Sequence, residues 1–270
     1  MSGPAFPLPT WFIGAGNMAG AMIAGWRAAG VELGSCVAIR PSGQPVEGVR
    51  TVRSLVEAGR EPHLVMLGFK PQMLGEVGPQ LAPTLTRETI VVSLLAGTPA
   101  AALRARFPDV RAIVRAMPNL PVAVRRGVTA LYAEDGDQAA RDLVSELMTA
   151  LGMAVWCPAE AQLSAIGALA GSGPAYVARF VDALAQAGAE RGLDPALAKI
   201  LALETVLGTG WLAATNQQPM DEIARRVASP KGTTLAGLAV LDAELPALVA
   251  RTLNAAIARG EALAAEARSG

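Results

Sequence analysis

Histidine is nearly missing from this 270-residue chain, with His63 standing alone, and only two cysteines, Cys36 and Cys157, accompany it. Both cysteines lie in apolar stretches without metal-ligand spacing, so the expectation is buried free thiols, no metal site and no disulfide framework. Lysine is scarce as well: Lys70, Lys199 and Lys231 stand against twenty arginines. Basic and acidic residues balance at 23 each, for a formal net charge of zero. The arginines are spread along the chain and form no stripe that could neutralise a phosphate backbone, which argues against a nucleic-acid partner. Charged residues make up 17% of the chain and hydrophobic ones 52%, so a disordered chain is excluded and either a large core or an apolar subunit interface is compatible. No run of 18 apolar residues escapes interruption by Gly, Pro or charge, and the first ten residues carry no basic segment followed by an apolar one. The expectation is a cytoplasmic protein with no membrane partner.

What is present is a change of pattern along the chain. The length exceeds that of a typical single domain, so two domains are expected. Short apolar runs alternate with helix-like stretches over residues 1–158, the pattern of a mostly parallel sheet with crossover helices. Strands are expected at Trp11–Ile13, Cys36–Arg40, Leu64–Phe69, Thr89–Leu95, Arg111–Ala116, Val128–Tyr132 and Met153–Trp156, with helices such as Met18–Ala29 and Asp137–Leu151 between them. Over residues 159–270 the strand signal stops and amphipathic runs of Ala, Leu and Val continue. Breaks at Gly171–Pro174, Gly192–Pro195 and Ser229–Gly232 divide this half into helices, Asp194 and Pro195 forming an N-cap and first-turn pair. The fold class is thus an α/β Rossmann-type domain followed by an all-α domain.

The chemistry concentrates at the ends of the expected strands. Gly14, Gly16 and Ala19 follow the first strand and open the first helix as G-x-G-x-x-A, a dinucleotide fingerprint. Gly14 permits the tight turn, Gly16 lets backbone approach a pyrophosphate, and the helix starting near Asn17 presents free N–H groups. The same pattern alone could be a mere tight turn; its place in a βαβ unit favours the cofactor. The binding segment is Ile13, Gly14, Ala15, Gly16, Asn17 and Met18. The second strand ends in Arg40-Pro41-Ser42, where an NAD enzyme would present an acid to the ribose. A guanidinium and a hydroxyl there suit a 2′-phosphate, so NADP is expected, with NAD as the alternative and a solvated Arg40 as the bland reading. Gly68 and Phe69 end the third of these strands, Lys70 and Pro71 follow it and Ala96 follows the next, both at carboxyl ends where cofactors bind. Asn119 closes another strand and can donate and accept near a nicotinamide. His63 precedes its strand, at the opposite end, and is set aside from catalysis.

In order, GAGNMAGAM, GFKPQ, SLLAGTP, RAMPNLPVAVRRG, GSGPAYVARFVDAL and VASPKGTTLAGLAVLD resemble the pyrroline-5-carboxylate reductase family over essentially the whole chain. GSGPAY and SPKGTTLAGL are the specific pieces, since a generic Rossmann domain needs neither. The resemblance implies reduction of the cyclic imine 1-pyrroline-5-carboxylate to proline by hydride from NADPH, an all-α dimerisation domain, and a homodimer or a larger homo-oligomer such as a decamer. Gly232, Thr233 and Thr234 can open a helix whose free N–H groups receive the substrate carboxylate. Thr234 is carried over as the hydrogen-bond or proton donor at the imine nitrogen, with Ser229 and Asn119 orienting the substrate. The chain departs from the family pattern at Leu120, where Thr is usual, at Lys231, where Gly is usual, and near Ser54, where an Asn is often found. Two rival readings are an NADP-dependent reductase of another imine or hydroxyacid and a non-catalytic NADP-binding protein.

Overall fold

The structure is a computed structural model that describes residues 5–135 and 137–269, without the side chains of 263, 264 and 266–269. Its contacts divide the chain into two compact units, Met1–Ser172 with Ala256–Gly270, and Gly173–Ala255. In chain order the first contains β1 (Thr10–Ile13), α1 (Asn17–Ala28), β2 (Cys36–Ile39), β3 (Arg50–Val52), α2 (Leu55–Ala58), β4 (Leu64–Leu67), α3 (Leu74–Leu81), β5 (Ile90–Ser93) and α4 (Ala100–Arg106). It continues with β6 (Ala112–Pro118), β7 (Gly127–Tyr132), α5 (Gln138–Thr149), β8 (Gly152–Trp156) and α6 (Gln162–Ile166). The second contains α7 (Gly173–Ala189), α8 (Pro195–Asn216), α9 (Met220–Val227) and most of α10 (Thr233–Ser269).

The strands form one sheet in the order β3-β2-β1-β4-β5-β6-β7-β8. Every pairing is parallel except β6 with β7. β1, β2, β4 and β5 are buried at every position, as strands covered on both faces must be. Alternation then sorts their side chains into two layers: Phe12, Leu64 and Met66 face the layer of Trp26 and Leu147, while Trp11, Ile13, Val65 and Leu67 face that of Leu103 and Phe107. Trp26 is sealed into its layer by donating from Nε1 to the Leu147 carbonyl at 2.7 Å. The chain leaves β1 toward β2 and β3 on one side and returns to β4 on the other, so the order reverses at β1 and opens a crevice beyond its carboxyl end.

The expected strands are present with shifted ends; β6 runs two residues beyond Ala116, to Pro118. β3 carried no sequence signal. It is three residues long at the sheet edge, and only Val52 of Arg50–Val52 is buried, so neither length nor alternation marks it. The contact division falls later than the expected boundary at 158/159, because Leu163 of α6 packs with Ala130 and Cys157 of the sheet unit.

The second unit is helical throughout. Asp194 caps α8 by accepting from the Ala196 and Leu197 N–H groups at 3.0 Å each. α7 and α8 pack through Ala185, Ala198 and Ala202, with Val181 and Ala189 beside them. Large apolar side chains of the same helices, among them Val177, Phe180, Leu203 and Leu207, stay exposed in the single chain. By length and composition alone, Pro195–Asn216 and Thr233–Ala262 are apolar enough to cross a membrane, which the uninterrupted-run criterion did not register.

Candidate active site

The turn between β1 and α1 is held against β4 by backbone contact. The Gly14 N–H bonds to the Ile39 carbonyl and the Gly68 N–H to the Ile13 carbonyl, each at 2.9 Å. Gly14 has φ +78°, and a Cβ there would meet the Gly68 carbonyl oxygen at 3.1 Å; a Cβ on Gly68 would stand 2.7 Å from the Gly14 oxygen and 3.1 Å from the Ala19 Cβ. These three positions therefore need their small residues for packing within the protein. Gly16 differs. It caps α1 with no side-chain hydrogen bond, and the nearest atom to its added Cβ would be the Gly68 oxygen, 4.0 Å away. The protein leaves that face open, with the first-turn N–H groups of α1 and no acidic side chain in that turn, a cradle that fits an anionic pyrophosphate. Asn17 is exposed and Met18 half-buried at the same opening, while Ala15 is buried beneath it.

Arg40 and Ser42 occupy the turn after β2. Arg40 donates from Nη1 to the Gln44 carbonyl at 2.9 Å and from Nη2 to the Gln44 Oε1 at 3.1 Å. Ser42 Oγ accepts from the Gln44 N–H at 3.3 Å. Gln44 thus braces the guanidinium along one edge and leaves the rest of it for a ligand. Ser54 is spent elsewhere: it caps α2, accepting from the Glu57 N–H at 3.4 Å and donating to Glu57 Oε1 at 3.0 Å.

Beyond the carboxyl ends of β4, β5 and β6 lies a cavity of about 810 Å³ lined by Pro71, Ala96, Met117, Ser164, Arg115 and Glu160 among others. Lys70 is exposed at the head of the short 3₁₀ turn Pro71–Met73, following Gly68 and Phe69. The charged pair on the cavity wall had no sequence signature. Glu160 Oε1 accepts from Arg115 Nη1 and from the Ala100 N–H, both at 2.7 Å, so one carboxylate joins β6 to the start of α4. Its partners lie 45 and 60 residues away, a separation that no local pattern encodes.

Asn119 is buried, and its side chain is largely committed. Its Nδ2 donates to the Ala170 carbonyl at 3.0 Å and its Oδ1 accepts from the Val128 N–H at 2.8 Å, tying β6 and β7 to the Gly167–Gly171 turn of π-helix. One N–H and one lone pair remain for a ligand. His63 is exposed, and its backbone N–H reaches the Pro9 carbonyl just before β1, at the amino ends of the strands. Cys36 and Cys157 are free and buried, and burial pushes the Cys36 thiol up to about 12 and the Cys157 thiol upward as well. Neither thiol is a nucleophile at neutral pH. Among the described residues no cluster of His, Cys, Asp or Glu could hold a metal ion.

Ser229, Gly232, Thr233 and Thr234 belong to the second unit. The Gly232 N–H bonds to the Ser229 carbonyl at 2.9 Å, Pro230 occupies the second position and Lys231 the third with φ +61°, the features of a type II turn. α10 begins directly after it at Thr233, so its first-turn N–H groups open onto the turn. A Cβ on Gly232 would collide with Ser229 Oγ and stand 3.0 Å from the Ser229 carbonyl oxygen, so a larger residue there would turn the Ser229 hydroxyl out of its present place.

The pyrroline-5-carboxylate reductase dimerisation model matches residues 160–263, and a model described as NADP oxidoreductase, coenzyme F420-dependent, matches residues 11–97. Among curated relatives, a pyrroline-5-carboxylate reductase of Pseudomonas aeruginosa is 40% identical over 94% of this chain and 96% of its own length. Among solved structures, a pyrroline-5-carboxylate reductase of Coxiella burnetii superposes with a TM-score of 0.87 at 32% identity, covering 95% of this chain and 98% of the other. The Plasmodium falciparum pyrroline carboxylate reductase, solved with NADP bound, shares the fold with a TM-score of 0.85 at 24% identity, covering 96% and 99%. The sheet with its open glycine cradle and the helical unit with its Ser229–Thr234 turn therefore have a common home: the chain belongs to the pyrroline-5-carboxylate reductase family.

Proposed function

We propose that the chain reduces 1-pyrroline-5-carboxylate to L-proline with a hydride from NADPH, the last step of proline synthesis. The observation that carries the reading is the presence in one chain of a glycine cradle for a dinucleotide and a Ser229–Gly232 turn opening a long helix at Thr233. NADPH supplies the hydride. With NADPH bound, that hydride would add to the imine carbon, the C=N π pair would collect on nitrogen, and nitrogen would take a proton from the Thr234 hydroxyl, which regains one from solvent. The protein's work is positioning and charge: the first-turn N–H groups of α10 receive the substrate carboxylate, Thr234 hydrogen-bonds at the imine nitrogen, and Ser229 orients the ring. A C=N bond accepts hydride readily once its nitrogen is protonated or hydrogen-bonded, so a hydroxyl in place of a strong acid is sufficient. Gly14–Met18 hold the pyrophosphate and Arg40 with Ser42 the 2′-phosphate, while Gly68–Pro71 and Ala96 line the nicotinamide side.

The working form is a homodimer at least, with a decamer as one closed assembly of such dimers, and its place is the cytoplasm. A buried core of three alanines between α7 and α8 is too small to hold the helices alone, and the exposed Val177, Phe180, Leu203 and Leu207 supply the apolar surface that a second copy would cover. That covering, and not a bilayer, accounts for the apolar length of α8 and α10.

The test follows NADPH consumption by absorbance on addition of pyrroline-5-carboxylate, with proline identified as product. Wild type is expected to turn over, and Thr234→Ala to lose about tenfold to a hundredfold in kcat with cofactor affinity unchanged. Absence of turnover by the wild type refutes the assignment and favours a reductase of another imine or hydroxyacid.

A further inference from the structure

Ile39 pairs with Val52 in the parallel ladder of β2 and β3, so Arg40 and Arg53 leave the same end of adjacent strands. The Arg53 side chain folds back over the Arg40–Gln44 turn. Its Nε stands 2.5 Å from where a Cβ on Gly43 would be, and its Cζ and Nη2 3.2 Å from that point. Gly43, with φ +66° and its N–H on the Arg40 carbonyl at 2.8 Å, leaves room for the guanidinium to lie against the turn that carries Ser42.

The neighbouring guanidiniums are occupied. Arg27 pairs with Glu47 at 2.6 Å, and Arg50 donates to the Glu57 and Ala58 carbonyls at 3.3 and 3.0 Å. The acid nearest in sequence, Glu57, takes the Arg53 backbone N–H at 3.3 Å and the Ser54 hydroxyl, not the Arg53 guanidinium. Among the described residues the Arg53 side chain forms no hydrogen bond or ion pair, and it is exposed against Gly43, the residue after Ser42. A phosphate monoester carries close to two negative charges at neutral pH, and Arg40 offers one positive charge.

We propose that Arg53 is the second cation of the 2′-phosphate site and sets the preference of the enzyme for NADPH over NADH. The proposal rests on the NADP reading above. Arg40, braced by Gln44, and Arg53, lying on Gly43, grip the phosphate from two sides, with Ser42 Oγ donating between them. NAD(H) lacks the phosphate and gains nothing from either guanidinium, so Arg53 discriminates between cofactors without touching the reacting atoms.

The experiment is calorimetric titration of the full-length apo protein with NADP⁺, NAD⁺ and 2′,5′-ADP, for wild type, Arg53→Gln, Arg53→Glu and Arg40→Gln. Arg53→Gln should weaken NADP⁺ and 2′,5′-ADP by about tenfold, the loss expected for one charge-assisted contact, and leave NAD⁺ within about twofold. Arg53→Glu should weaken NADP⁺ further and flatten its salt dependence, with NAD⁺ binding again serving as proof of folding. Unchanged NADP⁺ affinity in Arg53→Gln alongside a loss in Arg40→Gln overturns the proposal and leaves the NADP reading standing. Equal weakening of NADP⁺ and NAD⁺ by Arg53→Gln also overturns it. A wild type that binds NADP⁺ and NAD⁺ equally well removes the NADP reading and the proposal with it.

Discussion

Replacing Lys231 by glycine should make the protein more stable and, at the same time, weaken its hold on the substrate. Lys231 sits at φ +61° in the third position of the Ser229–Gly232 turn, where the following Gly232 N–H closes onto the Ser229 carbonyl. A type II turn requires positive φ at that position, and a residue with a Cβ pays about 1 kcal/mol for it. Lys231→Gly relieves this; Lys231→Ala keeps the Cβ and with it the strain. For a domain of this size about 1 kcal/mol corresponds to roughly 2–4 °C in Tm. The glycine variant should therefore melt above wild type and the alanine variant close to it, by calorimetry at matched protein concentration. The charge acts separately. An exposed ammonium beside a carboxylate site contributes about 1 kcal/mol or less, so both variants should raise KM for pyrroline-5-carboxylate by up to about fivefold with kcat little changed. A glycine variant no more stable than the alanine variant would refute the backbone argument. A KM unmoved in both would refute the electrostatic one.

Gly68→Ala should destabilise the first unit by about 1–3 kcal/mol, read from denaturant unfolding, because its Cβ would stand 2.7 Å from the Gly14 oxygen. NADP⁺ affinity should fall with it, since relief of the clash displaces the cradle. The native thiols of Cys36 and Cys157 should be nearly inert to a disulfide reagent at pH 8 and both react once the chain unfolds, burial holding the Cys36 thiol near about 12. Asp137 caps α5 and takes two hydrogen bonds from Arg111, at 2.7 and 3.0 Å, and the Ala140 N–H at 2.7 Å. The Arg111 guanidinium, aided by the Ala140 N–H, holds its carboxyl below the usual range. Its folded pKa is depressed, so the stability it contributes is present above about pH 4 and is lost as pH falls through the folded value. Asp137→Asn, which keeps a capping oxygen, should therefore lower Tm at pH 7, and its deficit against wild type should shrink on acidification below about pH 4. A deficit independent of pH would remove the charge from the account.

The parts of this protein legible in the sequence are those written by neighbours along the chain. The buried strands β1, β2, β4 and β5 are apolar throughout, the Gly14–Ala19 turn is punctuated by glycine between a strand and a helix, and Asp194-Pro195 announces α8. The Ser229–Thr234 turn was visible as a motif, but only backbone geometry showed that Lys231 bears positive φ within it. Asn119 was legible as a polar residue at a strand end; that its amide braces Ala170 and Val128 depends on contacts across 51 and 9 residues.

Glycines in the fingerprint, an arginine in place of the ribose-binding acid and a long apolar helical half were enough for the amino-acid sequence to determine an α/β dinucleotide domain joined to helices, because each is a local departure from ordinary turn, strand or surface chemistry. Tertiary structure alone decided the rest. β3 is too short and too polar to be read as a strand until the Val37, Ala38 and Ile39 ladder recruits it. Once it is recruited, Arg53 stands beside the turn of Arg40, and on the other side of the sheet Glu160 joins Arg115 to Ala100. Such pairings arise where strands distant in the chain are brought side by side, and the free energy that selects them comes from burying whole layers of side chains, not from any residue's preference for its immediate neighbours.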